Sequence, residues 1–272
     1  MWNSSNPALT REDAFGDYYG KSMFAERTDI TTLSGVVNKT GLLVSIAIVT
    51  GAIGYSVTVA VPAAMWISAI ASLVICLGLF FVISGKPSSA PVVAPIYAVV
   101  EGFFLGAFTS VADAILAARN LTMVGGVGLQ AMIITLCAVI AMLLLYKAKI
   151  IRPTRTLQAI IFTATGAIML AYLVSFVLSF FGMPLPLISF ASAVSDQGLM
   201  GLLGLGINIL ILVVASLWLV FDFKLVEDKV KAAAPKYMEW YCGFALLVTL
   251  AWIYFESVKL VVRLAVLFGN RD

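Results

Sequence analysis

Histidine is missing from all 272 residues. That excludes H-E-x-x-H zinc sites, histidine-based nucleophilic triads and imidazole pH switches. A response to pH near neutrality then falls to buried carboxylates. Charge is scarce as well: Asp, Glu, Lys and Arg make up 11% of the chain, where a soluble domain carries about 25%. The three cysteines, Cys76, Cys137 and Cys242, all lie in apolar runs, which suits small buried hydrophobes better than a disulfide framework or a metal cluster. There is no G-x-x-x-x-G-K-S/T loop and no G-x-G-x-x-G turn after a strand. Intramembrane aspartyl proteolysis needs two aspartates inside spans, and Asp113 and Asp196 fall at span ends. No enzyme, no catalytic residue, no permanently bound cofactor and no nucleic-acid partner is therefore expected. A cleavable signal peptide is not expected either, because no basic stretch feeds into a short apolar core at the start.

What the chain has instead is hydrocarbon. Hydrophobic residues make up 62% of it, and its mean hydropathy is strongly positive. A spanning helix needs about 20 mostly apolar residues. Seven stretches qualify: 41–59, 63–84, 92–111, 127–146, 159–181, 199–221 and 241–268. Breaks such as "GKPSSAP", "GMPLPLIS", Pro62 and Asn120 separate them. The fold expected is an all-α polytopic membrane protein of seven transmembrane helices, residues 39–272, preceded by a mobile cytoplasmic arm, residues 1–38. An amphipathic surface helix is the alternative for the arm.

Lysine and arginine set the orientation. With the N-terminus inside, thirteen of the seventeen basic residues face the cytoplasm, leaving Arg119, Lys259, Arg263 and Arg271 toward the far side. That bias suits an odd number of spans.

Ionisable groups inside a span cost at least about 2.5–3.5 kcal/mol at mid-membrane. Three acids stand out. Glu101, in "PIYAVVEGFFLGAF", lies roughly 14 Å deep. It reads either as a carboxyl hydrogen-bonded to a neighbouring helix or as a cation or proton site. Gly102 and Gly106 beside it form a G-x-x-x-G pair that admits a close helix. Asp222, in "SLWLVFDFKLVEDKVK", ends the sixth span, where an interfacial pair with Lys224, Lys229 or a lysine of another loop is the plain alternative to a site. Glu256 stands in helical register with Lys259 and Arg263. The plain expectation there is an intrahelical Glu256–Lys259 pair, with Arg263 snorkelling outward. The functional one is a Glu256 that lines a cation route. In the sixth span Gly198, Gly201 and Gly204 form a stripe for tight helix packing, and Asn208 puts a polar group at mid-depth.

"LWLVFDFKLVEDKVK" resembles the sixth-helix motif of the Bax inhibitor-1 family, in which an aspartate closes the helix and an acid-containing amphipathic segment follows. "KYMEWYCGFALLVTLAWIYFESVKLVVRL", "APIYAVVEGFFLGAF" and "SGVVNKTGLL" are similar to a bacterial branch of that family. The resemblance covers roughly residues 31–268. It implies a last helix ringed by six others, a location in the bacterial inner membrane and a pH-sensitive calcium leak. In that leak two carboxylates, from the sixth and seventh helices, share a proton. Asp222 matches the first. An ungapped match puts Leu246 or a close neighbour in the place of the second, and Glu256 lies roughly 15 Å further along. No arginine in the second span is available to latch the pair.

The expectation is therefore a staggered ladder of Asp222, Glu101 and Glu256 for Ca²⁺ and protons. Asn208, Glu227 and Lys259 play secondary parts, and Asp222 and Glu256 are transient Ca²⁺ ligands. The rival expectation is a membrane interaction protein that regulates a membrane-bound protease or another complex through the arm and the cytoplasmic loops. A proton-coupled metabolite transporter is a further alternative, without an inverted repeat to support it.

Overall fold

The computed structural model describes residues 30–121, 123–179, 181–183, 185–195 and 198–269. Seven helices long and apolar enough to cross a membrane follow one another: α1 (Leu33–Ala60), α2 (Ala64–Gly85), α3 (Ala90–Ala117), α4 (Gly126–Lys147), α5 (Arg155–Ser179), α7 (Gly198–Lys231) and α8 (Met238–Phe268). A short helix, α6 (Phe190–Ser195), lies between α5 and α7, and a 3₁₀ turn at Pro87–Ser89 leads into α3. No strand occurs among the described residues. Of the arm, residues 1–29 lie outside the described residues, and 33–38 form the first turns of α1.

Helix ends follow local chemistry. Thr32 caps α1, its Oγ1 accepting a hydrogen bond from Gly35 N at 3.0 Å. Pro62 follows the end of α1, and Pro91 sits in the first turn of α3, where a missing N–H costs nothing. Asp113 of α3 caps α4 from outside, accepting from Val127 N at 2.8 Å. Helix α7 runs ten residues past its expected end at 221, to Lys231. Its extension is amphipathic and carries the i,i+4 ion pairs Lys224–Asp228 and Glu227–Lys231, which support helix in water.

The last helix is the centre of the bundle. In the most apolar window of α8, 61% of residues are buried, against 11% in α5. Helices α1, α3, α4 and α7 pack directly along it, and α6 covers part of it. Helices α2 and α5 reach it through side chains, Phe80 against Phe244 and Tyr172 against Phe255.

The tightest seam is α1 on α3. A Cβ at Gly54 would run into the Phe103 carbonyl, and one at Gly106 into the backbone of Gly51. Gly102 lies against Ala47 and Thr50. The G-x-x-x-G pair of α3 thus meets a glycine pair on α1, and the two backbones touch with no side chain between them. Gly54→Leu and Gly106→Leu should each destabilise the protein by roughly 1–3 kcal/mol through overpacking. Gly78→Leu, where nothing lies within 4 Å, should leave the thermal midpoint in detergent unchanged.

Candidate functional site

The α7–α8 seam carries two polar stations. Toward the lysine-rich end is Asp222, 8% exposed. Its Oδ2 accepts a hydrogen bond from Thr249 Oγ1 of α8 at 2.6 Å. Among the described residues no lysine or arginine forms an ion pair with it. Lys224, a candidate partner, binds Asp228 at 2.9 Å instead.

The second station lies deeper. Glu256 is fully enclosed. Its Oε2 accepts from Asn208 Nδ2 of α7 at 2.8 Å and from Lys259 Nζ at 3.1 Å, and its Oε1 accepts from the Tyr172 hydroxyl of α5. Lys259 Nζ also donates to Tyr172 Oη at 2.7 Å and stands 4.6 Å from the centre of that ring. Three helices thus converge on one buried ion pair, and both carboxylate oxygens are satisfied. Taking two charges out of water is tolerated only with such complete partnering.

One to two turns further on, Arg263 is 1% exposed. It does not snorkel outward. The segment 185–195 folds over this end of the bundle and supplies acceptors, Leu187 O at 2.6 Å and Ser192 Oγ at 2.8 Å from Nη2. The guanidinium lies over Gly204, so that glycine of the α7 stripe makes room for a cation, while nothing lies within 4 Å of a Cβ at Gly198.

The three acids of the expected ladder do not share one path of hydrogen bonds. Asp222 and Glu256 occupy the same seam, but Thr249 and Glu256 are two turns apart on α8, about 10 Å along its axis. Glu101 is half-buried between α2 and α3, accepting from Ser72 Oγ at 2.8 Å. Glu227 sits at the exposed end of α7, held by Lys231 and by Tyr146 Oη at 2.5 Å. Asn208 and Lys259 join Glu256 directly. No group of three acid or cysteine side chains converges among the described residues.

Thr249, Tyr172, Ser192 and Glu239 were not anticipated. Each is a polar residue in or beside an apolar run, and that is the only signal available for them in the sequence. Glu239, 3% exposed in the first turn of α8, accepts from Thr32 N at 3.1 Å and Thr32 Oγ1 at 3.0 Å. An isolated bridge between Ile30 and Pro235 adds to this contact, so the start of α1 is stapled to the start of the central helix.

A seven-helix membrane bundle around a buried, charge-bearing last helix is the class of protein these features define. The chain belongs to the Bax inhibitor 1 like family, whose family model matches residues 6–266. Comparisons with curated proteins and with solved structures return no significant match.

Removing one member of the buried pair strands the other. Glu256→Gln and Lys259→Met should each destabilise the protein by about 3–5 kcal/mol, while the double variant loses much less. Thermal denaturation of the four proteins in detergent, treated as a double-mutant cycle, measures this coupling.

Proposed function

We propose that the protein is a cation leak of the Bax inhibitor-1 type, passing Ca²⁺ across the bacterial inner membrane, with a proton on Asp222 as its control. The supporting observation is the state of Asp222. It is a buried carboxylate beside the lysine-rich mouth, held by one hydroxyl and by no cation among the described residues. A buried charge without a partner is costly. A proton removes the charge, and a passing cation balances it. Competition between the two links flux to pH without histidine.

Glu256 takes a different part. Lys259 already neutralises it, so it offers no net charge to an incoming cation in this conformation. Among the three expected acids, Asp222 is the one in this seam whose charge is open to exchange. The family resemblance assigns a second carboxylate to Leu246 or a close neighbour, and the group that meets Asp222 from α8 is Thr249. Control by one carboxylate and a hydroxyl replaces control by two carboxylates sharing a proton. No enzymatic step and no resident cofactor is part of this reading.

Purified protein in liposomes loaded with a Ca²⁺ indicator should pass Ca²⁺ at rates that differ between acidic and alkaline buffer. Asp222→Asn should abolish that difference, and Thr249→Val should shift it. Absence of Ca²⁺ flux at every pH, or an Asp222→Asn profile identical to the wild type, would overturn the proposal.

A further inference from the structure

The Glu256 station has the construction of a cation site. A carboxylate, a phenol oxygen and an aromatic face surround a single positive centre, and that centre is the Lys259 ammonium. Nζ lies 3.1 and 3.5 Å from the two Glu256 oxygens and 2.7 Å from Tyr172 Oη. It also stands 4.6 Å and 5.6 Å from the Tyr172 and Phe255 ring centres, the placement that attracts cations to π faces. The remaining wall is Asn208, 2% exposed, whose Nδ2 is spent on Glu256 and whose Oδ1 is buried with no hydrogen-bond partner among the described residues. A buried carbonyl oxygen left unused is costly and rare. It is also the type of oxygen that an unattached cation would take as a ligand.

We infer that the Glu256–Tyr172–Asn208 pocket is a binding site for a monovalent cation, kept filled in this conformation by the chain's own ammonium on α8. Charge decides the ligand class. One carboxylate balances one positive charge, whereas a divalent ion would leave a net charge buried and would find too few oxygens. The ammonium is tethered by a flexible four-carbon stem, so it acts as an attached plug. When Lys259 is withdrawn, Glu256 loses its ion-pair partner, and a small cation such as K⁺ or ammonium takes the place of the ammonium, while the Arg263 guanidinium one turn further along α8 stays held by Leu187 O and Ser192 Oγ. This deepens the leak reading and rests on it for the flux arm of the test alone. The binding arm stands without transport.

The test removes the plug and keeps the pocket. In Lys259→Ala protein held in detergent, KCl or methylammonium chloride should raise the thermal midpoint saturably, at constant ionic strength set with a bulky organic cation. Wild-type protein and the Glu256→Gln/Lys259→Ala double variant should show no such rise. In liposomes Lys259→Ala should increase monovalent cation flux about tenfold, a change of about 1.4 kcal/mol, and the double variant should return it to the wild-type level. A purely structural ion pair predicts loss of function and no saturable ion effect. Should Lys259→Ala fail to yield folded protein in the bulky-cation buffer, its purification in KCl or methylammonium chloride provides the second measurement. A cation that takes the vacated place should restore a monodisperse folded protein, and the Glu256→Gln/Lys259→Ala double variant should be indifferent to the salt. Equal ion responses in all variants, or neither stabilisation nor rescue of Lys259→Ala, would overturn the inference. Binding without flux would leave the site standing and count against the leak.

Discussion

A charged helix enclosed by six others has to neutralise its charges where they stand. Helix α8 carries Glu256, Lys259 and Arg263 in its far half, all 2% exposed or less. Neither water nor lipid headgroups reach them. Much of the surrounding architecture follows from this. Asn208 of α7 and Tyr172 of α5 are aimed at Glu256, and the short α6 segment turns Leu187 O and Ser192 Oγ toward Arg263. Helix α5 buries little of its own surface, yet one tyrosine ties it to the centre. The polar contacts inside the bundle specify which helices meet the last one, and at what depth.

The α7–α8 seam treats negative charge in two ways. Deep in the membrane Glu256 is matched by a lysine on its own helix, and the pair is sealed. Near the lysine-rich end Asp222 meets only the Thr249 hydroxyl. Both acids are buried, so the difference between them lies in their partners: an ammonium, an amide and a phenol at Glu256, and a single hydroxyl at Asp222.

The seven spans were legible because each is a run of apolar residues long enough to cross a bilayer, and length and composition suffice to see them. The Glu256–Lys259 contact was legible for a similar reason: three residues on a helix fix neighbours. The stations themselves were not. Thr249 reaches Asp222 across 27 positions and Tyr172 reaches Glu256 across 84, and nothing in local periodicity encodes such pairings. Arg263 looked like a residue near a membrane surface because its sequence neighbours give no hint that 185–195 folds over it. In the ladder of three acids Asp222 rests on the family resemblance, but Glu101 and Glu256 rest on depth, and depth does not say which interface a helix turns inward. Glu101 has a suitable depth but faces α2.

The glycine contact between α1 and α3 has a mechanical consequence. Where backbone rests on backbone there is no side chain to change rotamer, so those two helices can only move as one body. Helix α5 is seated differently: few of its residues are buried, and its Tyr172 meets the central helix at Glu256 and Lys259. A side chain makes at α5 the contact that bare backbone makes between α1 and α3.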